Sequence, residues 1–217
     1  VGCVSDLFRF LPLSNRTAKD ESDVSSNWAR QTGTALLQIA DILDELTPDQ
    51  WDVAALRDEF TVRTTVGHLV WWLGDPKSAR RAEFFRTAST RERIEVEASR
   101  AAATASPADL IQRVRSLSVD FLAPNAKATI REVSVAVVDA YDIAYSTGRT
   151  VHVDELASGA VALARSLEGP YVMRAVLGER TLKASDADWK VGFGPELKGT
   201  AGAIVLFLWQ RHGLPDD

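Results

Sequence analysis

Few residues in this chain are of a type that could carry chemistry. It contains one cysteine, Cys3, and three histidines, His68, His152 and His212. A cysteine acts as nucleophile or metal ligand through its thiolate, and no local motif around Cys3 marks it as one. His152 and His212 stand apart from any cluster of ligand-type residues. His68 is different, because Trp71-Trp72 follows within one helical turn. Such a pair can line a pocket or belong to a helical core. Gly192-Phe193-Gly194-Pro195 reads as a turn, since it lacks both the Lys-Ser/Thr of a nucleotide loop and the spaced-glycine fingerprint. There is no serine elbow, no Cys-His pair and no zinc-finger spacing.

The composition is that of an ordinary folded chain: 46% hydrophobic and 25% charged over 217 residues. That length suits one large domain or two small ones. A net charge of -5 and a pI near 5.3 argue against nucleic-acid binding, where a basic surface supplies most of the affinity. A single cysteine rules out an intrachain disulfide and fits a reducing, cytoplasmic compartment. No apolar run approaches the ~20 residues that span a bilayer, so no membrane partner is expected. Residues 1–13 are apolar but interrupted by Asp6 and Arg9, which suits an amphipathic segment better than a signal peptide. Arginine-rich, alanine-rich usage is that of a GC-rich genome such as an actinobacterium's.

The elements that must position His68 follow from periodicity. Residues 14–26 are polar and read as a linker, so residues 1–24 form an N-terminal extension. A helix capped at Ser25 or Ser26 carries Trp28, Leu36, Ile39, Ile42, Leu43 and Leu46, and stops at Thr47-Pro48. After a loop, a second helix from about Arg63 places Val62, Val66, Leu69, Val70 and Leu73 on one stripe and His68, Trp71 and Trp72 on the other side. Bulk on both sides predicts burial between neighbours. A further helical stretch is expected over 77–86, and residues 87–104 read as charged and alanine-rich. Ser106-Pro107 opens a third long helix. The fourth covers about 129–147, with Gly148 as its C-terminal cap. These features predict an up-and-down four-helix bundle over 25–150. Over 151–217 the pattern predicts a helix at 154–167, strands at 171–177, 180–184 and 189–193, and a closing helix at 199–211. The fold class is therefore mainly α with a small α+β part.

Four segments together resemble one known family. Leu46-Thr47-Pro48-Asp49-Gln50-Trp51, followed by Phe60-Thr61-Val62-Arg63-Thr64-Thr65-Val66-Gly67-His68-Leu69, resembles the opening of mycothiol-dependent maleylpyruvate isomerases and related DinB-like bundles. There a tryptophan-containing loop precedes a helix with a His-Leu metal position. Asp142-Ile143-Ala144, leading to Gly148-Arg149, is similar to the family's fourth-helix ending. Asp186-Ala187-Asp188-Trp189-Lys190-Val191-Gly192-Phe193-Gly194-Pro195, and Gly199-Thr200-Ala201 leading to Leu208-Trp209-Gln210-Arg211, resemble its C-terminal signatures. The resemblance spans most of 26–212 in order. It implies a DinB-like bundle joined to a sterol-carrier-like domain. It also implies thiol-dependent chemistry at a divalent metal, usually zinc.

In that family the bundle supplies three ligands: the histidine of the second helix, then a glutamate and a histidine four residues apart on the fourth. Positions i and i+4 share a helix face, and a catalytic zinc takes three protein ligands with one position open. Here His68 keeps the first position, Asp139 stands for the second histidine, and Val135 stands where the glutamate belongs. Two readings follow. In one, His68 and Asp139, with Asp142 or Glu132, hold a weaker or different ion such as Mn²⁺. In the other the site has decayed, His68 is a hydrogen-bonded core histidine and Asp139 pairs with an arginine. Asp139 and Asp142 need partners either way, because an isolated buried charge is too costly.

The resemblance further implies mycothiol as cofactor, with a small-molecule thiol or electrophile bound between bundle and C-terminal domain. It gives Arg211 an anion-binding catalytic role, and Trp71 and Trp72 a place in the pocket wall. The expected function is thiol-dependent isomerase or transferase with a degenerate metal site. The alternative is a non-catalytic binding or interaction module, monomeric or homodimeric.

Overall fold

The computed structural model describes residues 27–75 and 90–213. Cys3, the expected extension and linker, the cap at Ser25 or Ser26 and the helical stretch at 77–86 lie outside them. The chain divides into two compact units, one covering Trp28–Val153 and the other holding the residues from Asp154 onward. Eight α-helices and one three-stranded sheet make up the described residues, so the fold is mainly α with a small β part.

The first unit contains five of those helices: α1 (Ala29–Asp44), α2 (Val62–Gly74), α3 (Arg91–Ala102), α4 (Pro107–Leu122) and α5 (Ile130–Thr147). Their ends obey local chemistry. Thr61 caps α2 by accepting the Thr64 amide, and Ser106 caps α4 by accepting the Asp109 amide with Pro107 in the first turn. Thr129 and Glu132 close a capping box on α5, and Gly148 ends it with φ 66°. Leu36, Ile39, Leu43, Val62, Val66, Leu69, Leu110, Val114, Val137 and Ile143 are buried where these helices meet. Helix α1 packs on α4 and α5, and α2 packs on α3, α4 and α5.

Helix α3 corrects the sequence expectation, in which residues 87–104 carried no element. It is polar enough to hide its periodicity: among its described side chains only Ile94 and Ser99 are fully buried. What holds it is chemistry at its ends and close backbone approach. Thr90 accepts the Arg93 amide, Glu92 lies in the first turn and Arg100 in the last, each favourable to the helix dipole. Gly67 lets α2 approach, because a Cβ there would sit 2.3 Å from the Ser99 carbonyl oxygen. Ser99 lies one turn beyond Glu95 on α3, and this approach brings Glu95 to His68.

The second unit holds α6 (Glu155–Glu168), α7 (Tyr171–Glu179), β1 (Thr181–Ala184), β2 (Lys190–Gly192), β3 (Glu196–Gly199) and α8 (Ala201–Leu208). The sheet order is β2-β1-β3, with β1 antiparallel to β2 and parallel to β3. The strand expected at 171–177 is instead helix α7. Met173 and Leu177, four residues apart, are buried, while Tyr171 and Val172 face outward. A short apolar run fits both periods, and Gly169-Pro170 ends one helix while introducing the next. Trp189 anchors the unit by donating from Nε1 to Ser158 Oγ at 3.0 Å. No helix among the described residues is long and apolar enough to cross a membrane.

Replacing Gly67 by alanine tests the α2–α3 approach. The added methyl must displace backbone, and overpacking of this kind costs about 1–3 kcal/mol. Urea denaturation should show that loss, whereas Gly74→Ala, whose Cβ would meet nothing closer than 3.6 Å, should show little.

Candidate functional site

Asp139, near the middle of α5, and His68, on α2, are almost wholly buried, at 1% and 4% exposure. They meet with Asp139 Oδ2 2.7 Å from His68 Nδ1. On the far side of the ring, Nε2 lies 3.1 Å from Glu95 Oε1 of α3. That same oxygen accepts a 2.8 Å hydrogen bond from Arg57 Nη2. The result is a row of alternating charge: Asp139, His68, Glu95, Arg57.

A neutral imidazole has one N–H and one lone pair. With a carboxylate oxygen at each nitrogen, a lone pair on either side would face negative charge. The imidazolium, which donates from both nitrogens, satisfies both contacts. Burial alone pushes the His68 pKa down, but the charges and hydrogen bonds of Asp139 and Glu95 outweigh it and the net shift is upward. For Glu95, burial pushes the pKa up, and His68 followed by Arg57 overcomes it, holding the carboxyl at about 2. With both acids ionised and both bases protonated, these four groups sum to zero charge, the condition under which buried ions are tolerated.

Arg57 reaches this row from a loop that is itself tied down. Ala55 donates to the Phe60 carbonyl and Phe60 to the Arg57 carbonyl, closing a turn in which Glu59 adopts φ 65°. Asp142, fully buried on α5, accepts the Leu56 amide at Oδ1, 2.8 Å away, and the Ser146 hydroxyl at 3.2 Å. Arg100 of α3 pairs with Glu59 at 3.1 Å. The Arg57 guanidinium rests over the Phe60 ring, 4.2 Å from its centroid. Trp71 and Trp72 flank His68 at ring distances of 6.4 and 6.1 Å; Trp71 is buried and Trp72 half-buried.

The structure thus brings together His68, Asp139, Trp71 and Trp72. Asp142 lies one helical turn beyond Asp139 and acts on the Arg57 loop. Glu132 accepts the Thr129 amide and hydroxyl at the start of α5. Arg211 belongs to the other unit, beside Arg165, whose pKa is lowered by burial and then by Arg211. Val135 is half-buried and offers no donor atom for a metal. Sequence reasoning missed Arg57 and Glu95. Arg57 lay in a segment read as loop, and Glu95 in a charged stretch where one more glutamate carries no signal.

A divalent metal at His68 can be tested against this donor set. Both ring nitrogens are occupied by carboxylates, and the one carboxylate oxygen at Nε2 is shared with a guanidinium. Among the described residues no group of three or more His, Cys, Asp or Glu side chains is arranged to hold a metal ion. The residues in this arrangement do not fit a metal centred on His68. No family model, curated protein or solved structure matches the chain.

The ionisation pattern fixes a pH dependence. Glu95 is stabilising above its unfolded value of 4.5, and that contribution is lost as pH falls towards about 2. His68 has a raised folded pKa, so its contribution is complete below 6.5 and is lost as pH rises through the folded value. Denaturant midpoints measured across pH should therefore peak between about 4.5 and 6.5. In Glu95→Gln the acid-side loss should shrink. Asp142→Ala leaves the half-buried Leu56 amide without its acceptor and should cost about 1–3 kcal/mol, while Asp142→Asn, which keeps an oxygen there, should cost less.

Proposed function

We propose that this chain is a relative of the mycothiol-dependent maleylpyruvate isomerases, with a DinB-like bundle and a sterol-carrier-like second unit, that serves as a non-catalytic small-molecule-binding or interaction module. The observation that carries this reading is the full engagement of His68, with Asp139 at Nδ1 and Glu95 at Nε2. An imidazolium in that position has no lone pair to offer a metal.

The competing reading is a thiol-dependent isomerase or transferase that uses mycothiol on a small electrophile. It draws on the same motifs but needs something to generate thiolate at neutral pH. A general base works best with a pKa near the operating pH. Glu95 is held at about 2 by His68 and Arg57, so it stays ionised at neutral pH and is a poor acceptor for a thiol proton. His68 is also nearly inaccessible to a substrate.

Elemental analysis of protein purified without chelator or histidine tag, wild type beside His68→Ala, tests the proposal. Both should carry far less than one equivalent of metal, about a tenth or below. His68→Ala should lose about 3–5 kcal/mol of stability, because the buried Asp139 and the half-buried Glu95 lose their shared partner. About one equivalent of zinc or manganese in the wild type, lost in His68→Ala, would refute the proposal and restore the thiol-transfer reading.

A further inference from the structure

We infer that Arg57 is the resident cation of this site, its guanidinium taking on Glu95 the place that a divalent ion would share with His68 Nε2. The inference rests on the reading that wild-type His68 binds no metal, and goes on to say why. Three observations carry it. The Nε2 to Oε1 separation of 3.1 Å is the spacing of two ligands on one ion, for metal–nitrogen and metal–oxygen bonds of about 2 Å. Asp139 on Nδ1 stands where an outer carboxylate orients a metal-binding histidine. Arg57 Nη2 donates to the very Oε1 that faces Nε2.

Charge makes the exchange balanced. As built, two carboxylates face one imidazolium and one guanidinium, giving zero for the four groups. If the guanidinium is removed, His68 can release its Nε2 proton to solvent and a divalent ion can bind the freed lone pair and Glu95. Two carboxylates, one neutral imidazole and one dication again sum to zero. Arg57 Nη1 is buried with no hydrogen-bond partner among the described residues. Such an atom gains nothing from its burial, so Arg57 stays through Glu95, the Phe60 face and the Asp142-anchored loop.

The test is titration with Co²⁺, followed by its visible absorption and by tryptophan quenching, since Trp71 and Trp72 flank the ring. The proteins are wild type, Arg57→Ala, Arg57→Gln, and each Arg57 variant combined with His68→Ala. The Arg57 variants should bind one Co²⁺ at least about tenfold more tightly than wild type, because a unit positive charge a few ångströms away has gone. Adding His68→Ala should abolish the gain. If the Arg57 variants are unfolded without metal, refolding on addition of Co²⁺, seen by circular dichroism, supports the inference, and failure to refold overturns it. Folded Arg57 variants that bind no better than wild type, where wild type is silent, overturn the inference and leave the metal-free reading standing. Stoichiometric Co²⁺ on wild type, dependent on His68, overturns that reading itself.

Discussion

An imidazole with a carboxylate on each nitrogen constrains everything around it. A lone pair on either ring nitrogen would face a carboxylate oxygen, so the contacts favour the imidazolium, and the second carboxylate calls for a further cation. Taking each of these ions out of water costs several kcal/mol. The short, charge-assisted contacts at 2.7 and 3.1 Å oppose that cost. Burial pulls the His68 pKa down, and the charges and hydrogen bonds of Asp139 and Glu95 outweigh it, leaving a net upward shift. The row therefore holds only as a complete set, and each member is placed by a different element: Asp139 by α5, His68 by α2, Glu95 by α3 and Arg57 by the loop before α2.

This requirement accounts for features that otherwise look unrelated. Gly67 is bare so that α3 can come close enough for Glu95 to reach the ring. Asp142 is a fully buried carboxylate spent on a loop amide, one residue before Arg57. Glu59 tolerates a left-handed conformation that a residue with a side chain rarely adopts, closing the turn that carries Arg57 over Phe60. The bundle core of Leu36, Val66, Leu69 and Val137 supplies the apolar surroundings in which these charges act strongly on one another.

Much of the fold was legible from the chain. Ser106-Pro107, the Thr129–Glu132 pair and Gly148 mark helix ends through chemistry that is local, and local chemistry is what a sequence displays. Alignment to a family pattern put His68 and Asp139 on one metal ion, or Asp139 on an arginine; instead the two side chains contact each other directly. Glu95 was not legible. Its helix buries one serine and one isoleucine rather than an apolar stripe, so no period of 3.6 stands out. Arg57 was hidden because its role depends on long-range bonds, from the Leu56 amide to Asp142 and from its own guanidinium to Glu95, which no spacing announces. Helix α7 was misread because six apolar residues in nine suit a strand until burial of Met173 and Leu177 selects one helical face.

The carboxylate oxygens at both ring nitrogens call for the imidazolium form of His68 at neutral pH. That form is tested most directly by nitrogen-15 NMR of the histidine side chains at neutral pH, with His68→Gln used to assign the signals. The account predicts that both Nδ1 and Nε2 of His68 are protonated at pH 7. A neutral His68 ring at that pH, with one nitrogen bare, would contradict it.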